Sequence, residues 1–137
     1  MNEIILNFDK RYATTIPDEE TCAGIYVIYS YKKENGVPEW SLLYIGQSGD
    51  IAHDFKNNLG RQQWESFAER ERGQLIIYVA KLEDAMLREV AERALIFRLQ
   101  PFMRADSSKS FNFDTTKITV IGRLQKAFGT FVQERIS

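Results

Sequence analysis

The chain has 137 residues, of which 44% are hydrophobic, 12% aromatic and 27% charged, and its formal net charge is −1. This length and composition predict one globular domain with a substantial core, and they exclude a disordered tail. The charge balance is not that of a nonspecific nucleic-acid-binding protein with a broad basic face, although it leaves room for a local basic cleft.

Cysteine, histidine and apolar content predict a cytoplasmic protein without zinc. Cys22 is the only cysteine, so no disulfide can form within the chain, and a reducing compartment fits. The single histidine, His53, excludes a zinc site built from clusters of histidine and cysteine. The apolar runs are too short to cross a membrane, and no basic residues precede Ile4–Phe8, so we expect neither a membrane span nor a signal peptide.

Two apolar runs rich in β-forming residues, at positions 23–31 and 40–48, predict the strands of a β-hairpin. Between them, an Asn-Gly pair and Pro38 break regular structure and favour a turn. We therefore expect a hairpin whose loop covers the eight residues 32–39.

Side chains on the first strand alternate between two faces. One face carries Ile25, Val27, Tyr29 and Tyr31, and the other carries Tyr26, Ile28 and Ser30. The second strand ends at Gly46, where the missing Cβ lets the backbone turn or a ligand approach. Ahead of the hairpin, Ile4–Phe8 predicts a short strand or an extended arm.

A helical region follows the hairpin. Its apolar side chains recur about every four residues, at Ile51, Phe55 and Leu59. Ser48 or Asp50 would cap its start, and Gly60 weakens its middle, which allows two short helices. Residues 54–72 carry four basic and four acidic side chains, which is typical of a solvated face and not of a DNA-binding patch.

The clearest elements are a strand at Gln74–Leu82 and a helix at Glu83–Gln100. The strand is nearly all apolar, β-branched or aromatic, so we expect it at the centre of the sheet. The helix has Asp84 as a plausible cap, Pro101 as its stop, and one stripe formed by Leu87, Val90, Ala91, Ala94, Leu95 and Arg98. Glu92 lies beside this stripe, at the border between core and solvent, where an acid can point into a cleft.

The C-terminal region is less regular. Residues 104–110 are polar and loop-like, whereas Lys117–Ile121 has strand character. Gly122 and Gly129 argue against one continuous helix after that strand, so the last dozen residues form either a short helix or a second strand.

Three motifs resemble those of the GIY-YIG nuclease family in their order and spacing. They are Gly24-Ile25-Tyr26, Tyr44-Ile45-Gly46-Gln47-Ser48, and Glu92-Arg93-Ala94-Leu95-Ile96 followed by Pro101. The resemblance covers residues 23–104 and implies an α+β fold, with a three-stranded antiparallel sheet flanked by helices. Residues 1–22 would then be an N-terminal arm, and residues 105–137 a C-terminal extension packed on the same domain.

The resemblance implies divalent-metal-dependent hydrolysis of phosphodiester bonds in DNA. Tyr26 would be the general base or its positioner, and Tyr44 would help to hold the attacking water or the phosphate. Glu92 would ligate one Mg²⁺ or Mn²⁺ ion, which neutralises developing charge. Because a free phenol has a pKa of about 10, the site would have to lower the pKa of Tyr26 for it to act as a base at neutral pH.

Three polar positions depart from the family pattern. Asp54 replaces an arginine that would stabilise the transition state, and losing one such donor costs on the order of 10²- to 10³-fold in rate. Asn58 stands where many members have histidine, and Arg104 where the family often has asparagine. Either Arg61 or Arg104 could supply the missing cation, and Asp54 could instead join Glu92 as a metal ligand.

Three hypotheses follow from these residues. The chain is an active or weakened nuclease that cuts DNA, an inactive relative that binds nucleic acid, or an inactive relative that binds a protein. The acidic balance favours a protein partner over nucleic acid, and an exposed apolar patch around Trp40 or Trp64 would support it. Local chemistry at Asp54 predicts weak cleavage or none.

Overall fold

The structure, a computed structural model, describes residues 1–103 and 110–136 and has an α+β fold. Its strands are β1 (Asn2–Phe8), β2 (Lys10–Ala13), β3 (Gly24–Glu34), β4 (Val37–Ser48), β5 (Gln74–Lys81), β6 (Thr116–Gly122) and β7 (Phe131–Gln133). Its α-helices are α1 (Ile51–Asn57), α2 (Arg61–Arg70), α3 (Ala85–Leu99) and α4 (Gln125–Phe128), and a 3-10 turn covers Asp18–Glu20. Within the described ranges, none of the helices combines the length and the apolar character needed to cross a membrane.

The larger sheet contains four antiparallel strands in the order β2-β5-β3-β4. Three of them were expected, and β5 is an inner strand, as its apolar composition predicted. The fourth is β2, which lies in the predicted N-terminal arm and pairs Tyr12 with Ile77. Because β2 covers the edge of β5, the backbone groups along that edge find hydrogen-bond partners. The sheet is therefore one strand wider than the resemblance implied.

The turn of the β3–β4 hairpin is much shorter than predicted. Both strands continue through the expected loop, to Glu34 and from Val37, so the turn is the pair Asn35-Gly36. The φ angles of these two residues are 52° and 78°, in the left-handed region that a two-residue hairpin turn requires. Pro38 is tolerated in β4 because β4 is an edge strand. The expected loop over residues 32–39 is therefore wrong.

Hydrophobic cores lie on both faces of the larger sheet, and they follow the predicted alternation along β3. On one face, Ile25, Val27 and Tyr29 pack with α3 and with the second sheet. On the other face, Tyr26 and Ile28 pack with α1 and α2. We call these the α3 face and the α1–α2 face.

A β-bulge in the β3–β4 ladder changes which side chains of β4 meet the α1–α2 face. Ile28 pairs with Tyr44, whereas Tyr29 pairs with Leu42, so Leu43 is the extra residue. As a result, the consecutive residues Leu43 and Tyr44 both pack on the α1–α2 face.

Two short helices, α1 and α2, cover the α1–α2 face, and Gly60 lies in the break between them, as its position predicted. Phe55 and Trp64 are buried against the sheet. Leu59, which the spacing placed on the same apolar face, is 98% exposed. It falls in the break, where the helical period no longer applies.

The second sheet is mixed, with β1 parallel to β6 and β6 antiparallel to β7. Leu6, Val120 and Phe131 from this sheet belong to the core of the α3 face. The last dozen residues include both elements that the sequence left open, because α4 and β7 both form. Strands from both ends of the chain thus share one core with the central hairpin.

The region around α3 links the two faces of the larger sheet. The side chain of Asp84 caps the helix as predicted, accepting a hydrogen bond from the Leu87 amide at 3.0 Å. After Pro101 the chain follows the outer edge of β4, where the Phe102 amide donates to the Leu42 carbonyl at 3.0 Å. The ring centroid of Phe102 then lies 5.6 Å from that of Phe67 in α2, on the opposite face from α3.

Candidate active site

Tyr26 and Tyr44 lie on adjacent strands and converge on the α1–α2 face. Their ring centroids are 5.9 Å apart. Gly46 pairs with Tyr26 across the hairpin, and a Cβ at Gly46 would lie 2.8 Å from Cζ of Tyr26 and 2.7 Å from Cε2 of Tyr44. The two phenol rings therefore occupy the space that the glycine leaves open, so here the close approach is made by tyrosines and not by a ligand.

Helix α1 brings Asp54 to the hydroxyl of Tyr26. The helix begins at Asp50, whose carboxylate accepts hydrogen bonds from the His53 amide at 3.3 Å and the Thr21 hydroxyl at 2.6 Å. One turn later, the Oδ2 atom of Asp54 accepts a hydrogen bond from the Tyr26 hydroxyl. Asp54, at the position where the GIY-YIG pattern has arginine, thus contacts Tyr26 directly.

Asn58 completes the group around the two phenols. It follows the last residue of α1, and its Nδ2 atom donates to the Tyr26 hydroxyl at 3.2 Å and to the Tyr44 hydroxyl at 3.5 Å. Its Oδ1 atom accepts from the Gly60 amide at 2.8 Å, which fixes the orientation of the side chain. Asp54 and Asn58, two of the three departures from the family pattern, therefore meet at one place.

The electrostatics of this group keep Tyr26 protonated. Its side chain is fully buried. Burial, the neighbouring Tyr44 and the hydrogen bond to Asp54 raise the pKa of Tyr26 far above its ordinary value, and the hydrogen bond from Asn58 opposes them only in part. A general base at neutral pH would need the opposite shift of this pKa.

Arg88 fixes α3 beside the second motif. This side chain is largely buried, and its Nε atom donates to Oε1 of Gln47 at 3.1 Å. Its Nη1 atom donates to the carbonyl oxygens of Leu82 at 3.2 Å and Glu83 at 2.6 Å. Sequence reasoning missed Arg88 because an arginine on a helix is expected in solvent. Its position next to the apolar stripe was the available signal, and Arg98, which the stripe included, is exposed.

Glu92 lies one helical turn beyond Arg88 and is half-buried. Its helix packs on the α3 face, while Tyr26, Tyr44 and Asp54 meet on the α1–α2 face. The structure thus groups the two tyrosines with Asp54 and Asn58, and it places Glu92 on the helix of the other layer.

The described residues offer a divalent ion few protein ligands. In residues 1–103 and 110–136, no group of three or more histidine, cysteine, aspartate or glutamate side chains is placed to hold a metal. Mg²⁺ often retains several waters and uses only one or two carboxylates, so a single protein carboxylate, the role expected for Glu92, is enough for this chemistry. Asp54 is a less suitable second ligand, because its carboxylate already accepts the Tyr26 hydroxyl.

The proposed substitutes for the missing arginine have other contacts or lie outside the described residues. The guanidinium of Arg61 lies over the ring of Phe55 at 5.2 Å, and its Nε atom is 3.4 Å from a carboxylate oxygen of Glu65. Arg104 lies outside the described residues.

Comparison with known proteins assigns no family to this chain. No protein-family model, no curated protein and no solved structure matches it. The GIY-YIG resemblance therefore rests on the three motifs, and the geometry around Tyr26 and Asp54 has to be interpreted by its own chemistry.

Proposed function

We propose that this chain is a GIY-YIG domain that has lost nuclease activity and acts as a binding module. One observation carries the proposal: the Tyr26 hydroxyl donates a hydrogen bond to Asp54 at the place where the nuclease chemistry needs a base and a cation. The α+β fold, with the tyrosines of both motifs in contact, supports the family assignment.

The protonation state of Tyr26 argues against catalysis. A phenol that is buried and hydrogen-bonded to a carboxylate holds its proton more tightly than a phenol in water. Because its pKa is raised, Tyr26 is protonated at neutral pH and cannot remove a proton from an attacking water.

The charge of Asp54 argues in the same direction. Hydrolysis of a phosphodiester develops negative charge, which an arginine would stabilise through a preorganised fork of donors. A carboxylate at this position repels the phosphate, and the loss of one such donor alone costs on the order of 10²- to 10³-fold in rate.

A second candidate is a weakened nuclease that uses Mg²⁺ or Mn²⁺. Its support is the contact of Asn58 with the hydroxyls of both Tyr26 and Tyr44, together with the ability of Mg²⁺ to use a single carboxylate such as that of Glu92. In this candidate, DNA is the substrate, and the ion supplies the positive charge that Asp54 does not.

A plasmid-nicking assay separates the two candidates. Supercoiled DNA is incubated with Mg²⁺ or Mn²⁺ and either the natural chain or Glu92→Ala, and both are expected to leave it uncut. Nicking by the natural chain that disappears in Glu92→Ala would establish the weakened nuclease and refute the proposal.

Two substitutions at Asp54 test the stated cause. Asp54→Arg restores the cation, and Asp54→Asn is the matched control that removes the negative charge without adding a positive one. If Asp54→Arg cuts DNA and the further change Glu92→Ala abolishes cutting, Asp54 is the reason for the lost activity. If Asp54→Arg folds and remains inactive, the loss has another cause.

A further inference from the structure

A cavity of about 310 Å³ opens on the α3 face of the larger sheet, beside α4. The main side chains that line it are Tyr29, Trp40, Tyr78, Leu124, Arg123 and Lys126. Trp40 is 44% exposed, whereas Trp64, the other tryptophan considered as a surface patch, is buried. The cavity lies on the face opposite Tyr26, so it is separate from the candidate active site.

The rings in this cavity form walls and not a flat row. The plane of Tyr29 meets that of Trp40 at 84° and that of Tyr78 at 89°, with centroids 5.6 Å and 5.9 Å apart, whereas the planes of Trp40 and Tyr78 meet at 42°, 6.5 Å apart. Successive nucleic-acid bases need ring faces along a groove, on which they can stack one after another. Rings that pack against one another at an angle instead offer one apolar surface, against which a single apolar group can pack.

Cations border the cavity. Arg123 and Lys126 line it, and Arg123 also lines a neighbouring cavity of about 450 Å³, to which Arg11 contributes. Among the described residues that line the two cavities, none is acidic. In a chain with a net charge of −1, this local excess of positive charge favours an anionic partner.

The acidic side chains of the hairpin are occupied elsewhere. Glu34 and Glu39 have carboxylate oxygens 3.6 Å and 3.4 Å from Nζ of Lys32. Lys32 follows Tyr31 in β3, so the two side chains point to opposite faces of the sheet. The ring of Tyr31 contacts Trp40, which lines the 310 Å³ cavity, so the ion-pair group of Lys32 faces away from that cavity. The basic character of the cavity is therefore not cancelled by the nearest glutamates of the hairpin.

We propose that this cavity binds an acidic peptide segment of a partner protein. One apolar side chain of the segment packs in the cavity against Trp40 and Leu124, and flanking carboxylates contact Arg123 and Lys126. Tryptophan, tyrosine and arginine are the residues that most often dominate binding energy at protein interfaces. This inference deepens the binding role proposed above and rests on it, but peptide binding can be measured whether or not the chain cuts DNA.

Selection of peptides from a random dodecapeptide library, displayed on phage and panned on the full chain, tests the inference. We expect enrichment of peptides in which aspartate or glutamate flanks an apolar residue. Trp40→Ala should weaken the binding of a selected synthetic peptide on the order of 30-fold, as loss of a central tryptophan does at other interfaces. Absence of such enrichment contradicts the proposal.

Charge reversal at the basic border tests the proposal independently, because it leaves the aromatic side chains of the cavity unchanged. Lys126→Glu should weaken binding of the selected peptide and reduce the salt dependence of that binding. Arg70→Glu, an equal reversal of charge at an exposed position of α2, should do neither. Equal peptide binding by Lys126→Glu and Arg70→Glu would refute the role of the basic border.

Two further results would also overturn the proposal. If Trp40→Ala unfolds at a lower temperature but binds the peptide as the natural chain does, the aromatic group only covers the core. If a labelled oligothymidine strand binds in a Trp40-dependent manner and displaces the peptide, the cavity takes nucleic acid instead.

Discussion

Tyr26 and Asp54 are 28 residues apart in the chain, and the hydrogen bond between them determines the chemical role that Tyr26 can have. The phenol is a donor to a carboxylate in a buried site, where charge-assisted hydrogen bonds are strong. Because this contact helps to raise the pKa of Tyr26, the phenol keeps its proton and is not the proton acceptor that hydrolysis would require. Asn58, which donates to both phenols, holds the arrangement in place.

A double-mutant cycle measures this contact. Tyr26→Phe and Asp54→Ala should each lower the free energy of unfolding, and the two changes should be coupled by about 1–3 kcal/mol, because either one removes the same hydrogen bond. Urea unfolding of the natural chain, both single variants and the double variant gives the coupling.

The matched control replaces Tyr31, which lies on the other face of β3, with phenylalanine. Tyr31→Phe and Asp54→Ala should add within about 0.5 kcal/mol, because the two side chains share no partner. Additive effects of Tyr26→Phe and Asp54→Ala would show that their hydrogen bond contributes nothing to stability.

At the scale of elements, the β3–β4 hairpin and α1 together build the candidate site. Strand pairing places Gly46 opposite Tyr26, and the bulge at Leu43 directs Tyr44 to the same face. The N-cap at Asp50 then starts α1 so that Asp54 meets Tyr26. Small changes in the hairpin should therefore disturb the tyrosine pair before they disturb the rest of the sheet.

Gly46→Ala tests this packing. Its new Cβ would lie within 2.7–2.9 Å of atoms of both phenol rings, so we expect a loss of about 1–3 kcal/mol in the free energy of unfolding. Gly49→Ala is the control, because its nearest neighbour outside the adjacent chain is an arginine nitrogen at 3.7 Å, an ordinary contact. Equal stability of the two variants in urea unfolding would show that the rings do not need the space at Gly46.

Elements with local signals were predicted well from the sequence. Asp50 and Asp84 cap their helices, Gly60 separates α1 from α2, and the apolar run of β5 forms an inner strand. Each of these outcomes depends on residues within a few positions of the signal. The hairpin loop is shorter than predicted because the polar residues on either side of the Asn35-Gly36 turn are not loop residues but pair with each other across it.

Distant contacts could not be predicted in the same way. Strand β2 forms only because residues more than sixty positions later provide an edge for it to pair with. Arg88 is buried because Gln47 and two carbonyl oxygens satisfy its donors, and no local pattern announces those partners. At the candidate site, the motifs predicted that the tyrosines matter, but the orientation of the Tyr26–Asp54 hydrogen bond required the fold.

At the scale of the whole molecule, the two faces of the larger sheet have different properties. The α1–α2 face holds the tyrosines in a buried, hydrogen-bonded group with an acid. The α3 face carries a cavity with an exposed tryptophan and a basic border. If the proposed function is correct, the partner binds through the α3 face, away from Tyr26 and Asp54.

The ionisation of Tyr26 is the most direct test of the central claim, that this phenol is a proton donor and not a base. NMR of the chain with isotope-labelled tyrosine side chains, using Tyr26→Phe to identify the signal, follows the ionisation as pH rises. The account predicts that Tyr26 remains protonated at and above pH of about 10, where a free tyrosine ionises, with or without Mg²⁺. Ionisation of Tyr26 below that pH, or on addition of Mg²⁺, would contradict the account.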